Sequence, residues 1–174
     1  IYQHCASPMW AQFFNTITEA ERVYVTGFQA VRGVAEDCAR RLSISRSYVH
    51  FLAAHDSMLT EWLEPRGKET RSDRQCLILV DVVPYAREAR VLARMCNQDQ
   101  RALVIITDEM CHWAKNHTEF IVHANTRTGL ILESTVAISS AINLLVNSVA
   151  EHSAETLSAR LDQWKSNTRA LRLF

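Results

Sequence analysis

Glycine and proline are scarce in this sequence, with 4 glycines and 3 prolines among 174 residues. These two residues build most tight turns, and an all-β sandwich or barrel needs many turns. Their scarcity argues against an all-β fold and favours long helices. The length is that of one domain of ordinary size.

Long apolar runs are also missing, since no stretch reaches the roughly 18 residues of a transmembrane segment. The first residues lack the basic start and the apolar stretch that define a secretory signal. We therefore expect a cytoplasmic protein that does not associate with a membrane.

Neither sign of charge is in excess, because 19 lysines and arginines balance 19 aspartates and glutamates. A domain that holds nucleic acid usually carries a basic surface, and this composition does not indicate one. The 5 cysteines are odd in number and form no C-x-x-C pair. We expect them to be buried apolar residues in a reducing compartment rather than disulfide partners or metal ligands.

The sequence motifs of common cofactor and metal sites are absent as well. Gly27 follows an apolar run, but the next glycine is Gly33, so the dinucleotide motif G-x-G-x-x-G is missing. The motifs G-x-x-x-x-G-K-[ST], G-x-S-x-G and H-E-x-x-H are not found either. His112 and His117 are five residues apart, and this spacing does not place them on one helix face as metal ligands. The sequence therefore predicts no metal and no cofactor.

Five short runs are rich in β-branched and aromatic residues, which predicts strands at 22–26, 48–52, 76–81, 102–108 and 120–123. The third and fourth runs are apolar almost throughout, as is typical of parallel strands that helices cover on both faces. Apolar residues at helical spacing predict helices at 10–20, 31–42, 56–63, 84–96, 130–150 and 157–171, and one or two turns at 109–115. Asp56 is a candidate N-cap, and Pro84 is expected in the first turn of its helix.

The order of these elements is a helix, then five β-α units, then a helix. It predicts an α/β fold, a three-layer α/β/α sandwich around a five-stranded parallel sheet. We expect a flavodoxin-like strand order, 2-1-3-4-5, with a ligand site at the carboxyl ends of the strands. The four tryptophans are expected to anchor the core or an interface.

Several segments resemble a known family when they are taken in this order. They are A-x-R-V-Y-V-x-G at 20–27, V-R-G-V-A at 31–35, L-I-L-V-D-x-x-P-Y-A-R-E at 77–88, A-L-V-I-I-T-D at 102–108 and L-E-S-T at 132–135. The chain resembles a SIS (sugar isomerase) domain over residues 20–150. More closely, it resembles the C-terminal effector domain of the RpiR (MurR/RpiR) family of bacterial transcriptional regulators.

The resemblance implies a function and a domain organisation. Family members join an N-terminal helix-turn-helix domain to a SIS domain, which binds a sugar phosphate or a related carbohydrate derivative, dimerises and alters DNA binding. It implies a single SIS domain over 1–174, with a linker helix at 1–20, a core at 21–150 and a C-terminal helix at 151–174. The chain would be a non-enzymatic sensor that forms homodimers or higher homo-oligomers. DNA would be contacted only through a helix-turn-helix domain absent from this chain. Interface candidates are the helix at 130–150 and the terminal helices.

Two other functions stay open from the sequence. One is a sugar-phosphate isomerase of the same fold, in which the resemblance makes Glu133 the catalytic base. The other is a degenerate SIS domain that serves only for dimerisation. The loops bear on this choice, because phosphosugar-binding SIS domains carry S-x-S-G-x-T after the third strand and G-x-G-x-S after the first. Here the corresponding loops are D-V-V-P-Y-A at 81–86 and G-F-Q-A-V at 27–31, so the hydroxyl groups that grip phosphate are gone.

The candidate ligand-binding residues follow the strands or begin the helices after them. They are Gln29, Arg32, His55, Asp81, Tyr85, Arg87, Glu133 and Ser134. Three of them have a structural alternative. Arg32 can form a surface ion pair, Asp81 can cap the next helix, and the Glu133 carboxylate can interact favourably with the dipole at a helix N-terminus. Thr107 and Asp108 end the fourth strand, and an N-cap role is favoured for them.

Overall fold

A computed structural model describes residues 8–54, 59–63, 72–131 and 134–172 of the chain. Its strands are β1 (Arg22–Gly27), β2 (Val49–Phe51), β3 (Gln75–Asp81), β4 (Ala102–Asp108) and β5 (Ile121–Ala124). Its α-helices are α1 (Pro8–Thr18), α2 (Arg32–Ser45), α3 (Arg87–Gln98), α4 (Val136–His152) and α5 (Ala154–Ala170). The strands form one parallel sheet in the order β2-β1-β3-β4-β5. The predicted α/β fold and strand order are confirmed.

The centre of the sheet consists of β3 and β4, and every residue of β3 is buried. The two strands run in parallel register from Cys76 opposite Ala102 to Asp81 opposite Thr107. Helices cover both faces of these strands, so their side chains alternate between two apolar layers instead of between core and water. This burial explains the continuous apolar runs in the sequence.

The two apolar layers have different helices. One layer joins the sheet to α1, α2 and α4 through side chains such as Ile17, Leu42 and Ile138. The other joins the opposite face to α3 and includes Trp62 and Trp113, which confirms these two tryptophans as core residues. Helix α5 contributes no buried residue, and its Trp164 is 43% exposed. Among the described helices, none is long and apolar enough to cross a membrane.

The described cysteines are free thiols in the buried layers: Cys38, Cys76, Cys96 and Cys111. Burial raises the pKa of the Cys38 and Cys76 thiols to about 12, so these groups stay protonated and unreactive at neutral pH. This agrees with the prediction of buried apolar cysteines, while Cys5 lies outside the described residues.

The start of α3 differs from the prediction. The helix begins at Arg87, and Pro84 lies before it in a loop, after a cis peptide bond with Val83. The expectation of Pro84 in the first helical turn is therefore wrong. Ala86, the residue before the helix, is extended, and carboxylates from the strand ends bind backbone N–H groups of this loop, as described below.

The predicted helix at 130–150 begins later, at Val136, and continues to His152. Residues 129–131 form a bend in which Gly129 has a φ of 76°, and Leu130 and Ile131 are exposed. The predicted helix at 56–63 is partly outside the described residues, as is its candidate N-cap Asp56. Its described end is a single 3₁₀ turn, Thr60–Trp62, and another, Ala114–Asn116, lies at the end of the 109–115 segment.

Candidate functional site

Two aspartates end the two central strands at the carboxyl edge of the sheet. Asp81 is the last residue of β3, Asp108 is the last residue of β4, and both are 1% exposed. Thr107, the residue before Asp108, lies opposite Asp81 in the strand register. The fold therefore brings two carboxyl groups together at a buried position, because parallel strands end at the same edge of a sheet.

The Asp108 carboxylate accepts three hydrogen bonds. Its Oδ2 accepts from the backbone N–H of Val83 at 2.7 Å. Its Oδ1 accepts from the Tyr85 hydroxyl at 2.6 Å and from the backbone N–H of Met110 at 2.8 Å. Asp108 thus ties the loop after β4 to the loop between β3 and α3. The expectation that it caps a following helix is wrong, because a loop follows it.

The Asp81 carboxyl group is less well satisfied. Its Oδ1 accepts a long hydrogen bond of 3.4 Å from the backbone N–H of Ala86, the residue before α3. Its buried Oδ2 has no hydrogen-bond partner among the described residues. Burial raises the pKa of Asp81 to about 7, and the neighbouring Asp108 carboxylate adds to the rise. Asp81 therefore accepts a long hydrogen bond from the residue just before α3. This is a weaker interaction than the helix cap that the sequence predicted as an alternative.

The loop from Val82 to Ala86 therefore has acceptors within the chain for its backbone N–H groups. Backbone N–H groups at the end of a strand and the start of a helix are a common anion site in α/β folds. Here the N–H groups of Val83 and Ala86 already donate to Asp108 and Asp81. The loop offers its donors to carboxylates of the chain rather than to a ligand.

Tyr85 is held inside this network. Its ring is half-buried and meets the Trp113 ring edge-on, with centroids 6.3 Å apart. Burial and the hydrogen bond to Asp108 raise the pKa of the Tyr85 hydroxyl. The side chain that we predicted as a ligand contact donates its hydroxyl to the carboxylate of Asp108, and its role as a ligand contact stays a prediction.

The other candidate residues are spread over the same edge. Gln29 is exposed at a φ of 49°, just after β1. Arg32 is exposed at the first position of α2, with its guanidinium 5.8 Å from the centroid of the Phe51 ring. Arg87 is exposed at the first position of α3 and lines a cleft of about 320 Å³. All three residues follow strand ends at the carboxyl edge of the sheet.

The candidates before α4 are only partly described. The Ser134 Oγ accepts from the backbone N–H of Val136 at 3.3 Å, and its own N–H donates to the Thr126 carbonyl at 3.1 Å. Ser134 therefore supports the first turn of α4. His55 and Glu133 lie outside the described residues, so their proposed roles stay predictions.

A larger cleft was missed from the sequence. It measures about 690 Å³ and lies between the carboxyl ends of β4 and β5 and one side of α4. None of the predicted site residues that the structure describes lines it. Its polar residues belong to elements that are far apart in the chain. The run of polar residues after β5 was the one local sign of this cleft in the sequence. Within the described ranges, no cluster of three or more His, Cys, Asp or Glu side chains is suited to a metal ion.

No protein-family model matches this sequence, and no curated protein sequence matches it. The fold does match solved structures. The sugar isomerase domain of an RpiR transcription factor from Sphaerobacter thermophilus superposes with a TM-score of 0.80 at 20% identity, over 94% of this chain and 89% of that one. The chain therefore has the SIS fold.

Two further structures show the range of proteins that share this fold. The Vibrio vulnificus NanR protein, complexed with ManNAc-6P, matches with a TM-score of 0.62 at 15% identity, over 94% of this chain and 60% of that one. A Methanococcus jannaschii protein, whose structure was described as inferring a 3-hexulose-6-phosphate isomerase, matches with a TM-score of 0.61 at 11% identity, over 88% of this chain and 82% of that one. The fold thus occurs in a regulator and in a protein described as an isomerase.

Proposed function

We propose that this chain is the ligand-sensing and dimerisation domain of an RpiR-type bacterial transcriptional regulator, and that its ligand is a carbohydrate derivative. The likeness to the RpiR domain over 94% of the chain supports the regulator class. The NanR complex with ManNAc-6P supports a ligand of carbohydrate origin. A single domain over residues 1–174 is part of this proposal.

The observation that carries the proposal is the pair of carboxyl groups at the end of the central strands. Asp108 and Asp81 take up the N–H groups of Val83 and Ala86, which a phosphate bound at this loop would need. A phosphate there would also meet like charge at close range, which is unfavourable in a partly buried site. An isomerase that acts on sugar phosphates needs a firm phosphate anchor. The loop therefore favours a sensor over an enzyme, and an unphosphorylated carbohydrate derivative over a sugar phosphate.

Assembly and DNA binding belong to the same proposal. Exposed apolar side chains on the outer helices, Val136, Trp164 and Leu171, support an interface with a second copy of the chain. DNA would be contacted through a helix-turn-helix domain elsewhere in the whole regulator, which would be a cytoplasmic protein.

The second candidate function is a sugar-phosphate isomerase with Glu133 as its base. The Methanococcus jannaschii protein, described as an inferred isomerase, supports it at the level of the fold. A third candidate is a domain that only dimerises. The supporting observation is that Asp108 and Asp81 already accept hydrogen bonds from the loop after β3.

A ligand screen joined to a turnover assay separates the three functions. Thermal melting would be recorded with monosaccharides, amino sugars, sugar acids and sugar phosphates. A ligand at about 100 times its dissociation constant adds about 2.7 kcal/mol to stability, which raises the Tm of a domain of this size by roughly 5–10 °C. NMR of the same mixtures would detect isomerisation. A Tm rise without turnover is the expected result. Turnover would favour the isomerase, and no Tm rise with any compound would favour a dimerisation domain.

A further inference from the structure

The cleft beside β5 is separate from the aspartate network and has a distinct chemistry. Its polar lining consists of Glu109, His123, Asn125, Ser140 and Asn143. Its volume of about 690 Å³ is within the range of small-molecule sites, which is about 300–1,000 Å³. The cleft therefore has room for a molecule of the size of a monosaccharide or larger.

The strand side of the cleft is held in place by backbone contacts. The Glu109 Oε2 accepts from the Thr126 N–H at 3.0 Å. The Nδ1 of His123 lies 2.9 Å from the carbonyl oxygen of Asp108. Since a carbonyl can only accept, Nδ1 carries the proton, and Nε2 of the neutral ring is an acceptor. The strand side thus supplies an oriented carboxylate and an oriented imidazole.

Two side-chain amides supply donors. The Asn125 Oδ1 accepts from the Arg127 N–H at 3.0 Å. The Asn143 Oδ1, on α4, accepts from the Arg41 guanidinium. With both carbonyl oxygens engaged, the two NH₂ groups are the parts of these amides that are left to donate to a ligand. The Ser140 hydroxyl donates to the Val136 carbonyl at 2.9 Å, which leaves its oxygen as an acceptor.

The rest of the lining is apolar and small. Ala124, Ala137 and Leu144 complete it, and none of the described residues that line the cleft is a lysine or an arginine. Donors and acceptors around an apolar patch suit a sugar ring, which has hydroxyl groups at its rim and C–H groups on its faces. The Glu109 carboxylate disfavours a phosphate, and the Arg41 guanidinium that donates to Asn143 is also paired with Asp37 at 3.8 Å.

We propose that this cleft binds an uncharged polyhydroxylated molecule, an unphosphorylated sugar or amino-sugar derivative. The inference rests on the proposed function and deepens it, because it places the carbohydrate ligand between β5 and α4 instead of at the loops after β1 and β3. Asn143 and Asn125 donate to ligand hydroxyl oxygens, and Glu109 and His123 accept from ligand hydroxyl groups.

Calorimetric titration of matched variants tests the cleft. The probes are unphosphorylated monosaccharides, N-acetylated amino sugars and polyols, each beside its phosphate ester where one exists. The test variant is Asn143→Leu, and the control is Asn147→Leu, which makes the same change one turn further along α4 outside the cleft lining. We expect an unphosphorylated probe to bind the wild type. Asn143→Leu should weaken its affinity at least about ten-fold, or about 1.4 kcal/mol, and Asn147→Leu should leave it within about two-fold, the usual size of a surface effect.

A second variant keeps the test valid if Asn143→Leu fails to fold. Asn125→Ser lies after β5, outside any helix, and should weaken the same probe with the fold intact by circular dichroism. The inference is overturned if a probe binds with equal affinity to both cleft variants, or if phosphate esters alone bind. Either result leaves the proposed sensor function standing with its site elsewhere. Binding of no probe at all overturns the inference and counts against the sensor function as well.

Discussion

Asp81 and Asp108 lie beside one another at the ends of adjacent strands, yet their surroundings differ. Asp108 accepts hydrogen bonds from Val83, Tyr85 and Met110. Asp81 receives one long bond, and its second oxygen has no partner among the described residues. A buried carboxylate oxygen without a donor is costly, and protonation relieves the cost. The folded protein therefore favours the protonated form of Asp81, in agreement with its pKa of about 7.

This preference makes stability depend on pH in an unusual direction. The folded pKa of about 7 is above the unfolded value of about 3.9. Between these two pH values the folded state binds a proton that the unfolded state has lost, so the contribution of Asp81 to stability falls as the pH rises. Above the folded pKa the loss is complete. Most carboxyl groups in proteins act in the opposite direction.

Asp81→Asn removes the charge and keeps the shape of the side chain. We expect the variant to gain about 2–3 kcal/mol relative to wild type on going from pH 5 to pH 8, at about 1.4 kcal/mol per pH unit. Urea unfolding at the two pH values measures this gain. Asp162→Asn, on the exposed side of α5, is the control and should show no such change. Parallel pH profiles for wild type and Asp81→Asn would contradict the account of the aspartate pair.

At the scale of elements, β1 and α2 approach one another closely at Gly27. A Cβ built on Gly27 would lie 2.6 Å from the Cβ of Ala35 and 3.0 Å from the carbonyl oxygen of Val31. Only glycine allows this approach without movement of the backbone. Gly33, within α2, has no heavy atom within 4 Å of a Cβ added to it.

The same substitution at the two glycines should have opposite effects. Gly27→Ala forces the strand and the helix apart, and we expect a loss of about 1–3 kcal/mol from overpacking. Gly33→Ala should stabilise the protein by about 0.5–1 kcal/mol, because alanine is the better helix former. Urea unfolding of both variants provides the comparison. Equal effects at the two positions would contradict the packing described here.

Helix α5 is joined to the rest of the molecule by one arginine in particular. The Arg160 guanidinium donates to the carbonyl of Ile44 at 2.9 Å and to the Ser47 hydroxyl at 2.9 Å. It also donates to the carbonyl of Arg46 at 3.2 Å. These groups lie at or just beyond the end of α2, where carbonyls lack helical partners and a positive charge is favourable. Because α5 has no buried residue, polar contacts such as this one contribute to its attachment.

Replacing this arginine should loosen α5. Arg160→Met keeps much of the side-chain volume, and we expect it to cost about 1.5–3 kcal/mol, the size of hydrogen bonds made by a charged group. Amide hydrogen exchange should become faster along α5 and little changed in β3. Arg169→Met, an exposed position on the same helix, is the control. Unchanged exchange in α5 of the Arg160 variant would show that other contacts hold the helix.

The sequence predicts these elements best where the signal is local. The runs of β3 and β4 and the helical spacing from Val31 to Leu42 lie within one element each, and the structure confirms them. The start of α3 was predicted wrongly because Asp108 binds the Val83 N–H across 25 residues of sequence. Such a bond leaves no local pattern, so Asp108 was interpreted only as a helix cap.

At the scale of the whole molecule, the candidate site was less predictable than the fold. The strand order and the carboxyl edge follow from the alternation of strands and helices. The side-chain contacts at the carboxyl edge depend on which residues come together only after folding. Tyr85 joins the aspartate network, and the cleft beside β5 combines Glu109 with Asn143, which are distant in the sequence.

Two regions of the whole molecule bear on the ligand that we propose. Asp108 and Asp81 accept hydrogen bonds from the loop after β3, and the described lining of the cleft beside β5 contains no lysine or arginine. Both features disfavour a phosphate group and favour an uncharged carbohydrate. The central claim is therefore that this SIS-fold domain selects unphosphorylated ligands.

Paired thermal melting tests this claim most directly. Each sugar would be compared with its own phosphate ester at equal concentration against the wild-type chain. We predict that a rise in Tm, of roughly 5–10 °C at saturation, occurs with an unphosphorylated member and is lost when that member is phosphorylated. A Tm rise that requires the phosphate group would contradict the account. It would mean that a phosphate displaces the carboxylates from the loop or binds at another part of the domain.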